Sequence, residues 1–260
     1  MKMKNWTSFV FALGVLFSAS AYSSDGVDVH MHLSPGRPPN LDFKASVETL
    51  IAKMDQLGIG RVIVMPPPQV QNQTTAYLAD QFMNAIHAHS GRLLWAAGGD
   101  ELNPIIHSTP PGSITAEIRN RFESIARRIV ADGAKAFGEM AALHFSFNPR
   151  HPFEQSDPDH PLFLLLADIA AQTKTPIDLH VEAVITRQPV PKALASRSPN
   201  NPATIQPTIS GLEKLLAHNR NATIVWQHIG WDNTGHLNVK LLRGLLTRHP
   251  NLFLALKHVD

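Results

Sequence analysis

Residues 134–181 read AKAFGEMAALHFSFNPRHPFEQSDPDHPLFLLLADIAAQTKTPIDLHV, and their alternation decides the fold class. Ala134–Met140 is an apolar run of strand length that follows Gly133. A loop from His144 to His160 leads to Pro161, which opens a helix carrying Leu162, Leu165, Leu166 and Ile169 on one face. Pro176–Val181 is a second apolar run. Strand, helix and strand in that order predict two parallel strands joined by a helical crossover.

The same unit recurs in both directions. Upstream, Val27–Met31, Arg61–Met65 and Leu93–Ala97 read as strands one to three, with helices over Phe43–Leu57, Thr75–His89 and the stripe Ile118, Phe122, Ile125 and Ile129. Gly58 and Gly133 stop two of these helices. Downstream, Thr223–His228 and Leu252–Leu256 read as strands six and seven, with helices marked by Leu212, Leu215, Leu216 and by Leu241, Leu242, Leu245, Leu246. Seven repeats favour a (β/α)8 TIM-type barrel over an open sheet. The expected eighth strand and final helices find no room before Asp260, so the reading is of a barrel without them. No glycine-rich phosphate loop follows any strand, which argues against a nucleotide-binding doubly wound fold.

Residues 1–21 read as a signal peptide. Lys2 and Lys4 precede an apolar run from Trp6 to Phe17, and Ala19-Ser20-Ala21 fits the cleavage pattern. Residues 22–260 are then one exported, periplasmic domain with no stable membrane insertion. The formal charge of the 260-residue chain is +2, and loss of the two lysines leaves the remainder neutral. That balance, with no basic stripe, excludes a nucleic-acid footprint. Cysteine is absent, so disulfides, thiolate catalysis and a zinc–thiolate site are excluded.

The chain holds 14 histidines, and several fall where barrel chemistry is sited. Asp28-Val29-His30-Met31-His32 places two imidazoles on one face of strand one, because residues two apart share a face. His180 and His228 sit at the C-terminal ends of strands five and six, and Glu139 at that end of strand four. Barrel active sites occupy that rim, and imidazole with carboxylate suits a divalent ion such as zinc or manganese.

These pieces resemble the amidohydrolase superfamily, in its amidohydrolase-related branch. DVHMH at 28–32, AFGEM at 136–140, DLHVE at 178–182 and WQHIGWDNTGH at 226–236 carry the resemblance in order. It implies His30, His32 and His180 as metal ligands, and His228 as a ligand or a group polarising the substrate carbonyl. It implies Glu139 as a bridging ligand, or as a carboxylate that holds a ligand histidine. The branch usually carries a strand-eight aspartate that binds metal and takes a proton from water. Here Asp260 follows strand seven and Asp232 follows strand six.

The chemistry implied is hydrolysis of a C–N, ester or lactone bond of a small molecule by metal-activated water. Metal-dependent decarboxylation, and metal or ligand binding without turnover, remain open beside it. The long loop Glu182–Pro207 supplies Arg187, Lys192 and Arg197, with Arg187 a candidate for a substrate carboxylate. Trp226 and Trp231 flank His228 and read chiefly as packing residues, with Trp231 kept as a substrate contact. His87, His89, His218 and His249 read as helix-end residues, and His107, His144, His151, His160 and His236 as loop residues. The open edges of strands one and seven imply a homo-oligomer or poor solubility.

Overall fold

A computed structural model describes residues 24–73 and 76–257. The signal-peptide segment and Asp260 lie outside the described residues.

Seven parallel strand positions follow one another in space as they do in sequence. β1 (Ser24–Met31), β2 (Ile59–Val64) and the first piece of β3 (Leu93–Trp95) form one ladder. The second piece of β3 (Ala97–Gly98), β4 (Phe137–His144), β5 (Ile177–Val181), β6 (Ile224–Ile229) and β7 (Leu252–Leu256) form the next. Helices cover the outside: α1 (Phe43–Leu57), α2 (Ala79–His87), α3 (Leu102–Ser108), α4 (Ala116–Ala131), α5 (Pro161–Thr173), the short α6 (Lys192–Ala195), α7 (Ile209–His218) and α8 (Val239–Arg248). The sheet curls as a barrel does, because the His30 side chain of β1 reaches the Asp178 side chain of β5 at 3.1 Å.

Local chemistry accounts for the elements. Asp42 caps α1 by accepting from Ala45 N at 2.9 Å, and Gly58 ends it in the left-handed conformation at φ 70°. Thr115 caps α4 through Ile118 N, and Pro161 occupies the first turn of α5. The core runs between sheet and helices, through Val62, Val64, Phe82, Phe122, Phe137, Leu166, Leu179, Leu212 and Trp226, all fully buried.

Four expectations need correction. α2 spans Ala79–His87 rather than 75–89, because Ala79 N finds its acceptor at a distance in sequence, on Asp100 Oδ2 at 2.7 Å. The third strand breaks at Ala96 into two pieces that join different ladders. The fourth strand runs to His144, since Leu143 and His144 pair antiparallel with Glu154 and Gln155 across the loop. Its C-terminal end is therefore His144 and not Glu139. His107 belongs to α3 and His160 caps α5, so neither is a loop residue.

Candidate metal centre

Glu139 stands at the middle of the site. Its carboxylate, 2% exposed, faces four imidazoles from three other strands. Oε2 lies 2.8 Å from His32 Nε2 and 3.7 Å from His30 Nε2. Oε1 lies 2.8 Å from His180 Nδ1 and 3.3 Å from His228 Nε2. The atoms that could hold an ion fall into two triads, His30–His32–Glu139 and Glu139–His180–His228, with the atoms of each within 4.8 Å of one another. The structure thus brings together all five residues read as metal ligands.

Each strand delivers its group in a different way. On β1 the two-residue spacing holds, and His32, one residue past the strand, lies on the His30 side. On β4 the ladder with β5 shifts register between Phe137 and Met140, and the Gly138–Glu139 peptide is cis. Because the strand runs on to His144, Glu139 sits below the rim, deep among the histidines. On β5, Asp178 and His180 share the inner face while Ile177 and Leu179 pack in the core. On β6, strict alternation would send Gln227 and His228 to opposite faces, yet both reach the cluster. The left-handed backbone of His228, φ 61°, turns its ring back inward.

Around the five lie partners to which sequence reasoning gave no role. His30 Nδ1 is 3.1 Å from both oxygens of Asp178, whose Oδ2 also accepts from Gln227 Nε2 at 2.5 Å. His32 Nδ1 faces the Met65 carbonyl at 3.1 Å. The His144 ring packs on that of His180, with centroids 4.3 Å apart, and the His151 ring follows at 4.7 Å. Glu154, also buried, accepts from Asn103 Nδ2 at 3.0 Å. The period-two rule that pairs His30 with His32 also pairs Asp178 with His180, so that signal was present.

Charge follows the geometry. Burial opposes a charge on Glu139, but His30 and the hydrogen bonds from His180, His228 and His32 outweigh it and hold the carboxyl well below its usual range. Burial also opposes charge on His30, and Asp178 and Glu139 overcome it, raising the imidazole to about 9. His180 rises to about 10, with Glu139 and Glu182 outweighing burial. His228 moves the other way, lowered by burial despite its bond to Glu139. Burial lifts Glu154 to about 8.

Of the proposed substrate contacts, Trp231 lines the same pocket as His180 and His228. Trp231 is half-buried and stacks on Phe147, centroids 5.4 Å apart and 15° between planes, with Lys257 Nζ 3.6 Å above its ring. Arg187 is exposed, its guanidinium bonded to Thr204 Oγ1 at 3.2 Å. Trp226 is a packing residue, buried with its indole N–H donating to Val181 O. Asp232 organises its own loop, accepting from the backbone N–H groups of Thr234, Gly235 and Leu237.

No protein-family model matches the chain, and no curated protein does. Solved structures do. A probable 2-pyrone-4,6-dicarboxylic acid hydrolase from Acinetobacter baumannii aligns over 78% of this chain and 58% of its own, at 15% identity and TM-score 0.41. A 2,6-dihydroxybenzoate decarboxylase from Rhizobium aligns over 78% and 66%, at 13% and 0.39. An amidohydrolase from Mycobacterium avium subsp. paratuberculosis aligns over 82% and 59%, at 12% and 0.41. The chain spans between about three fifths and two thirds of their length.

Proposed function

We propose that the chain is a metal-dependent hydrolase that cleaves a C–N, ester or lactone bond of a small molecule with metal-activated water. The two triads that share Glu139 carry this reading. The donor set fits a divalent ion, zinc first and manganese second: neutral imidazoles with one carboxylate are the ligands such ions take. His30 Nε2 adds to the fit, because it is buried, has no hydrogen-bond partner and faces Glu139. His30, His32 and Glu139 would hold one ion, and Glu139, His180 and His228 offer a second position. A bound ion would supply water that ionises near neutral pH and a Lewis acid for the scissile carbonyl.

The chain's own residues do the rest. Glu139 keeps its negative charge and anchors four imidazoles around it. His228, with its pKa lowered, is a neutral imidazole at pH 7, and its side chain is 23% exposed. When only the first position is filled, it would accept a proton from the substrate side and return it to the leaving group. Trp231 and Phe147 give the rim a flat apolar face, with Lys257 above Trp231 and Arg197 5.8 Å from the Phe147 ring. The two cations beside this pair suit an anionic substrate. Arg187 remains the candidate from the longer loop.

The test is turnover of amides, esters and lactones by the zinc-loaded protein in ¹⁸O-labelled water. The label should enter the carboxylate product, and Glu139→Gln should lower kcat at least about 100-fold. Carbon dioxide release with no label incorporated would overturn hydrolysis in favour of decarboxylation. The reading also has the chain exported to the periplasm, which N-terminal sequencing of the periplasmic protein checks by a start at Tyr22.

A further inference from the structure

We infer that Asp178 is a positioning residue: its buried carboxylate holds the proton of His30 on Nδ1 and thereby aims Nε2 at Glu139. Both Asp178 oxygens lie 3.1 Å from His30 Nδ1. Oδ2 already accepts from Gln227 Nε2, so the carboxyl acts as the acceptor toward Nδ1, and Nε2 is the nitrogen left for an ion. Nε2 is also the atom found buried and without a partner, 3.7 Å from Glu139 Oε2. The two nitrogens of His30 are thus sorted into one held and one offered.

Three further features are built around the contact. Asp178 is 3% exposed and lies on the same strand face as His180, so β5 supplies both a ligand and the holder of another strand's ligand. Gln227 Nε2 donates to Asp178 Oδ2 at 2.5 Å and fixes the carboxylate from the β6 side. Gly138 makes the room: a Cβ there would come 2.7 Å from Asp178 Cβ, closer than two carbons pack. The neighbouring ligand is held similarly by a weaker acceptor, the Met65 carbonyl on His32 Nδ1. An outer carboxylate of this kind fixes ring orientation and raises ligand basicity, and its loss costs 10- to 100-fold in metal affinity.

The consequence for affinity rests on the metal-binding reading, while the hydrogen bond does not, so two measurements separate them. Zinc affinity of the full chain is measured by competition with a chromophoric chelator for the wild type, Asp178→Asn, His30→Ala and the double variant. Asp178→Asn should weaken zinc binding about 10- to 100-fold alone and add nothing in the His30→Ala background. Gln227→Met, which frees the carboxylate without removing it, should give a smaller loss, also absent in that background, and it replaces Asp178→Asn if that variant does not fold. Proton NMR of the metal-free protein should show a slowly exchanging, downfield His30 Nδ1–H that His30→Ala removes and Asp178→Asn shifts or removes. Wild-type zinc affinity in both holder variants, an equal loss with and without His30, or no such resonance in the wild type would each overturn the inference. A wild type that shows the resonance and binds no zinc would support the positioning role and overturn the metal-dependent function instead.

Discussion

Glu139 brings five residues onto one set of equilibria, and pH is the lever that exposes this. In the metal-free protein His30 titrates at about 9 and His180 at about 10, both raised by carboxylates that outweigh burial. Groups raised in the folded state contribute stability fully below their unfolded pKa of 6.5 and lose it as pH climbs through the folded values. The metal-free melting temperature should therefore fall between about pH 7 and pH 10, and Glu139→Gln should flatten that dependence. An ion must displace the same protons, so zinc binding near pH 7 should release protons, and apparent affinity should rise with pH up to about 10. Calorimetry in buffers of different ionisation enthalpy reads the release directly. The five clustered residues were legible in the sequence because four are histidines at strand ends and the fifth is a lone acid in an apolar run. Asp178 and Gln227 were not singled out, although Asp178 shares the period-two signal with His180. They lie one step deeper on the same strands, where an inward polar residue reads as an ordinary break in a hydrophobic pattern. His228 was legible by position only, since alternation alone would turn it away and its left-handed backbone turns it back.

Among the elements, β4 departs most from its expected form. The register shift beside Gly138 lowers Glu139 into the cluster and lets the strand continue to His144, whose ring then supports His180. Gly138→Ala should cost about 1–3 kcal/mol, the scale of overpacking a tight core, because the added Cβ meets Asp178. It should weaken zinc binding at the same time. α1 offers the contrasting case. Asp42→Ala removes the hydrogen bond to Ala45 N and should cost about 1 kcal/mol. It should leave zinc affinity unchanged, and chemical denaturation with chelator competition checks both. The bounds of α1, β5 and β7 were readable to within a residue, because cap, stripe and stop are local signals. α2 and α3 were not. The start of α2 is fixed by Asp100 from another segment, and α3 is a seven-residue helix with Pro104 inside it and no long stripe to announce it.

Across the whole molecule, sequence order and spatial order coincide for seven strands, and that regularity made the fold class legible from alternation alone. The edges are where it ends. Val27 on β1 is 45% exposed, and on β7 Phe253 and Leu256 are 53% and 80% exposed. Exposed apolar side chains of this kind favour association with other chains, so the sedimentation coefficient should rise with concentration, and Phe253→Lys should reduce that rise. None of the helices among the described residues is long and apolar enough to cross a membrane. The central claim is that strands one, four, five and six build one metal centre around Glu139. Elemental analysis of the purified protein beside a His30→Ala/His32→Ala variant tests it most directly. The account predicts about one ion or more per wild-type chain and a clear loss in the variant, with both proteins folded by circular dichroism. No bound zinc or manganese in the folded wild type after reconstitution, or equal metal in both proteins, would contradict it.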